Sequence, residues 1–97
     1  MFGKGNELFG GVVASAGLAW VVWTVPRPVD GCAHFFKYRL AFVVDDVCVI
    51  RYDNERGKGD HRHIGNREMA YLFSSPRQLI ADFFEDIARW LDENRND

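Results

Sequence analysis

Cysteine is scarce in this chain: Cys32 and Cys48 are its two, and they form no CxxC pair. That argues against a disulfide scaffold and against a finger-type zinc site. Both read as small buried hydrophobes of a cytosolic protein, with a single bridge between them as the lesser alternative. Charge of one sign is also lacking. A net charge of −2 gives no general excess of cations to neutralise phosphates, as a broadly basic nucleic-acid binder would need. A long apolar run is missing too. Leu8 to Pro26 holds no charge over 19 positions, but Gly10, Gly11, Ser15, Gly17 and Thr24 interrupt it. A membrane helix needs about 20 predominantly apolar residues. A signal peptide wants a positive start, and here Lys4 is cancelled by Glu7. A cytoplasmic protein without membrane contact is the expectation. There is no internal repeat, no GxSxG and no HExxH. In "GKG" (57–59), Lys58 precedes Gly59 instead of the Ser or Thr of a P-loop, which argues against a nucleoside-triphosphate site.

What the chain does have is core material. Apolar residues make up 47% and aromatics 14% of 97 residues, enough for one domain and too few for two. Residues 1–16, rich in glycine and small side chains, read as a flexible or irregular arm, or a poorly ordered first strand, before a single domain over 17–97. "LAWVVWTV" (18–25) is dense in β-branched and aromatic residues and reads as a strand that Pro26 and Pro28 end. In "FFKYRLAFVV" (35–44), Tyr38, Leu40, Phe42 and Val44 share one face, while Lys37, Arg39, Ala41 and Val43 share the other. Asp45-Asp46 suits a tight turn into a third strand, "VCVIRY" (47–52), and "MAYLF" (69–73) can return as a fourth.

The last segment announces a helix. Ser75 is a natural N-cap, Pro76 suits the first helical position, and Gln78 completes a capping box. Leu79, Ile80, Phe83, Phe84, Ile87, Trp90 and Leu91 form an apolar stripe, with Asp82, Glu85, Asp86 and Glu93 expected to face away. The expected fold is α+β: a small antiparallel sheet of three to four strands packed against one C-terminal amphipathic helix. Trp20, Trp23 and Trp90 are assigned to its core.

Between the third and fourth strands lies "YDNERGKGDHRH" (52–63), where six of twelve residues carry fixed charge. The bland reading is a solvated loop, because Gly57 and Gly59 disfavour a regular strand. The sharper reading starts from His61 and His63. Two apart on an extended chain, they would point to one side with Arg62 on the other. Two imidazoles on one face can divide acid and base work in phosphodiester cleavage. Arg51, Lys58 and Arg62 would bind phosphate, helped by the N–H groups of Gly57 and Gly59. Asp53, Asn54, Asp60 and His34 are assigned supporting roles, Asx side chains being suited to bracing loops. Zinc would need a third ligand beside the histidines, with His34 and Asp60 as candidates. Since spacing fixes none, neither metal nor cofactor is expected.

"KYRL" upstream, "RYDNERGKGDHRHIG" and the apolar-acidic final helix together resemble the TumE family of toxins from bacterial toxin–antitoxin pairs, over about Trp20 to the end of the helix. The resemblance implies a small cytoplasmic toxin and a cognate antitoxin that carries a helix-turn-helix DNA-binding domain. It carries over no catalytic residues. By analogy with other small toxins the expected function is inhibition of translation through RNA, as a metal-independent endoribonuclease. The alternative is a non-enzymatic module that binds the antitoxin or nucleic acid in an autoregulatory pair. The stretch "MFGKGNELFGGVVASAG" and the turn "DD" depart from the family pattern.

Overall fold

The computed structural model describes residues 6–95. Six strands form one antiparallel meander in chain order: β1 (Asn6–Val13), β2 (Leu18–Thr24), β3 (Phe36–Val44), β4 (Val47–Glu55), β5 (Gly59–Ile64) and β6 (Arg67–Ala70). One helix, α1 (Pro76–Glu93), follows and covers one face of the sheet. The α+β class and the single C-terminal helix are as expected; the sheet has six strands instead of three to four.

Both additional strands were hidden by glycine. From Asn6 onward the N-terminal stretch is β1 and a 3-10 turn (Ala14–Ala16), the first-strand alternative and not the irregular arm. Residues 1–5 lie outside the described part. Gly10 and Gly11 look like strand breakers, but Gly11 lies against the Trp20 indole on β2, where an added Cβ would come within 2.6 Å of the ring. β5 was obscured by Gly57 and Gly59 and by its polar composition. The "fourth strand" runs over Arg67–Ala70, not 69–73.

The β3–β4 turn is tight, with Asp45 and Asp46 both at positive φ (51° and 64°), a conformation aspartate tolerates. From there the two sheet faces diverge. Val22, Tyr38, Leu40, Phe42, Ile50 and Tyr52 point toward α1 and meet Leu79, Phe83 and Ile87 in the core. Ser75 caps the helix by accepting from the Gln78 N–H (3.1 Å). The other half of a capping box, the Gln78 side-chain oxygen accepting from the Ser75 N–H, is not formed; the Gln78 amide instead donates to Asp82 (2.8 Å). Asp86 does not face away. It is buried under the helix, where it accepts hydrogen bonds from Arg62 (3.0 Å) and from the Tyr52 hydroxyl.

Candidate functional site on the open sheet face

Antiparallel pairing puts partners on the same face. Arg39 pairs with Asp53, Asp53 with His61, Arg51 with His63, and His63 with Glu68. All six side chains therefore emerge from the face that α1 does not cover, across β3, β4, β5 and β6.

Asp53 is the hub. Only 2% exposed, its carboxylate lies 2.7 Å from His61 Nε2, 3.2 Å from Arg51 Nε and 3.8 Å from Arg39 Nη1. These contacts are close but poorly aligned. Neither Asp53 oxygen, nor His61 Nε2, nor Arg51 Nε makes a directed hydrogen bond. Attraction between charges therefore holds the group together, and it is strengthened by exclusion of water. The His61 ring is anchored on its far side, with Nδ1 3.1 Å from the Gly59 carbonyl. The His63 ring stands 5.3 Å from that of His61 and is more open to solvent. Its Nε2 accepts from Arg51 Nη2 at 2.8 Å, so that nitrogen carries no proton in this arrangement. Glu68 closes the cluster, one oxygen lying 3.7 Å from His61 Nε2 and 3.6 Å from His63 Nε2. Lys58 stands at the rim, 3.9 Å from the same carboxylate. A hollow of about 370 Å³ opens there between Lys58, His61 and Glu68.

Sequence reasoning placed Arg51, Asp53, His61 and His63 together, and the structure does so, with Lys58 nearby. It missed Glu68. A signal was present, since Gly65-Asn66 is a two-residue hairpin turn that puts His63 opposite Glu68.

Four expected site residues lie elsewhere. Arg62 projects to the helix side and donates to the Tyr52 hydroxyl (2.9 Å) and to Asp86. Asn54 is fully buried. Its Oδ1 accepts from the Tyr38 N–H (3.0 Å) and its Nδ2 donates to the Phe36 carbonyl (2.8 Å), extending the β3–β4 ladder by one step. Asp60 accepts from the Tyr38 hydroxyl (2.6 Å) and contacts His34 Nε2 (2.8 Å). His34 stacks on Phe73 at 3.8 Å between centroids. Nor is "GKG" a phosphate cradle: the Gly57 N–H donates to the Asp30 carbonyl (2.7 Å), the Lys58 N–H donates to the Glu55 carbonyl (3.0 Å), and Gly59 backs onto Gly31.

Cys32, His34 and Asp60 also converge. They do not form a nucleophile relay. Burial and the Asp60 charge push the Cys32 thiol up, away from thiolate. Both His34 nitrogens are engaged, Nδ1 by the Phe36 N–H and Nε2 by Asp60.

A protein-family model described as Toxin TumE matches residues 16–91, most of the chain. The chain belongs to the TumE toxin family. As a toxin of that family it has an antitoxin as its partner. Comparison with curated proteins and with solved structures returns no match. The match begins at residue 16, so β1 lies outside the part of this TumE chain that the family model recognises. No helix among the described residues is long and apolar enough to cross a membrane.

Proposed function

We propose that this TumE toxin acts in the cytoplasm on RNA, cleaving it without a metal and so inhibiting translation. The observation that carries this reading is the pairing of His61 and His63 on an open sheet face beside Arg39 and Arg51. Cleavage through the ribose 2′-hydroxyl needs a base for that hydroxyl and an acid for the leaving 5′-oxygen. His63 suits the base, because its Nε2 lone pair is free of a proton and nearer to solvent. His61 suits the acid, because both its nitrogens face acceptors: the Gly59 carbonyl and the Asp53 carboxylate. Arg39 (largely exposed), Arg51 and Lys58 supply cations for the phosphate and for charge that develops on it. Arg62 has no part in this, being committed to Asp86 on the other face.

The depth of His61 favours a second reading. At 4% exposure its ring is packed as a structural histidine would be. On that reading the face is a binding surface for the antitoxin or nucleic acid, and the pair regulates its own promoter through a DNA-binding domain on the antitoxin.

Incubation of purified protein with RNA, with and without chelator, separates the two. Cleavage that persists in chelator supports the first reading. Tight RNA binding with no cleavage in either condition supports the second. Cleavage abolished by chelator overturns the metal-independent mechanism.

A further inference from the structure

The open-face cluster has a feature that proton transfer leaves unexplained. Asp53 and His61 are almost wholly buried, and Asp53 Oδ1 lies 2.7 Å from His61 Nε2, yet neither atom makes a directed hydrogen bond. With Nε2 of His61 unprotonated, the two are electron-donor atoms sharing one buried space, where a metal cation would satisfy both. His63 Nε2 presents a third lone pair to the same space, and the ligand atoms of Asp53, His61 and His63 all lie within 4.8 Å of one another. Beside this group of three, one Glu68 oxygen lies 3.7 Å and 3.6 Å from the two imidazole nitrogens, within reach as a fourth ligand. Ligands at about 2.0–2.2 Å from a tetrahedral zinc ion stand about 3.3–3.5 Å apart; the two Glu68 separations are close to this, and the 2.7 Å between Asp53 Oδ1 and His61 Nε2 must widen when the ion enters.

We propose that Asp53, His61, His63 and Glu68 form a binding site for a divalent transition-metal ion of the zinc class. The donor set, two imidazoles and two carboxylates, is borderline in hardness and suits zinc over calcium or magnesium. The surroundings match a metal site as well. His61 offers Nδ1 to the Gly59 carbonyl, the outer contact that fixes a ligating histidine's tautomer and directs Nε2 at the ion. Asp53 is steadied by Arg51 and Arg39. Two carboxylates neutralise the ion, and Arg51 yields the His63 lone pair while keeping its contact with Asp53. Nothing in this site depends on the RNA reading. A metal on both Nε2 atoms would deny them to proton transfer, so metal occupancy and metal-independent cleavage are alternative states of one cluster.

The test is zinc titration of the metal-free full-length protein by calorimetry, with a chromogenic chelator as competitor. One equivalent of zinc is expected to bind and to raise the melting temperature. His63→Ala and Glu68→Gln alter partly exposed side chains, so both variants fold, which circular dichroism checks. Each should lose at least about tenfold in zinc affinity, while Cys32→Ala binds as the parent does. Absence of saturable binding at micromolar zinc overturns the proposal. Binding that survives both substitutions, or that disappears in Cys32→Ala, also overturns it, the latter by assigning the ion to Cys32, His34 and Asp60. Because the readout is binding, it stands whether or not the protein cleaves RNA.

Discussion

Asp53 faces His61, Arg51 and Arg39 from a nearly sealed position, and that one carboxylate organises the open face. Its neighbours carry the residue-scale predictions. His63→Ala removes the proposed base from a partly exposed position. RNA cleavage should fall by about 100-fold or more while the melting temperature stays within a few degrees, measured by single-turnover assay beside thermal denaturation. Undiminished cleavage would remove His63 from the mechanism. Arg51→Met takes away the proposed phosphate contact and the donor to His63. RNA affinity should weaken at every sequence, and the slope of log affinity against log salt should shrink by about one, read by fluorescence anisotropy across a salt series. At this scale the sequence was half legible. That His61 and His63 share a face follows from strand periodicity alone. That Asn54 and Asp60 serve the sheet's interior side does not, because an Asx residue in a charged run carries no mark of which partner it will find.

At the scale of elements, α1 repays a closer look at its phase. Leu79, Phe83, Asp86 and Trp90 recur at spacings of four, three and four, so Asp86 occupies a position on the buried stripe. A charge there needs partners, and β4 and β5 provide the Tyr52 hydroxyl and Arg62. Asp86→Ala leaves both partners facing a void on the helix side. It should destabilise the fold by about 2–3 kcal/mol in urea denaturation. RNA affinity of the folded fraction should be unchanged, since the proposed site occupies the opposite face. A selective loss of affinity would show that the faces are coupled. The stripe was evident from the sequence, and the buried acid could have been found by its spacing. β1 and β5 were masked for different reasons. Glycine in β1 makes room for a tryptophan that comes from another strand, while β5 is polar because its open face carries the cluster and its inner face carries Asp60 and Arg62.

For the whole molecule, the two faces of the sheet divide the labour: one is sealed by α1, the other bears the charged cluster. The sealed side also holds all three tyrosines of the chain. Burial, then a hydrogen bond to a carboxylate, pushes each phenol well above its ordinary range: Tyr38 beside Asp60, Tyr52 beside Asp86 and Tyr71 beside Asp82. In the unfolded chain these phenols ionise near pH 10. Below that pH both states keep the protons, and the full stability is present. Above it only the unfolded state gives them up, so stability falls as pH rises. Tyrosinate absorbance should therefore appear together with loss of far-ultraviolet circular dichroism in one alkaline transition. Ionisation at ordinary phenol pH in a still-folded protein would contradict the packing.

Periodicity and capping residues determine the helix, the β2–β4 strands and which side chains alternate, because those are local properties written in spacings of two and three to four. The family follows from the string around His61. Strand count, the docking of Arg62 and the Tyr52 hydroxyl on Asp86, and the assembly of one cluster from four strands were decided only in three dimensions. Each depends on which strands pair and in what register, and pairing is settled by contacts between residues far apart in the chain.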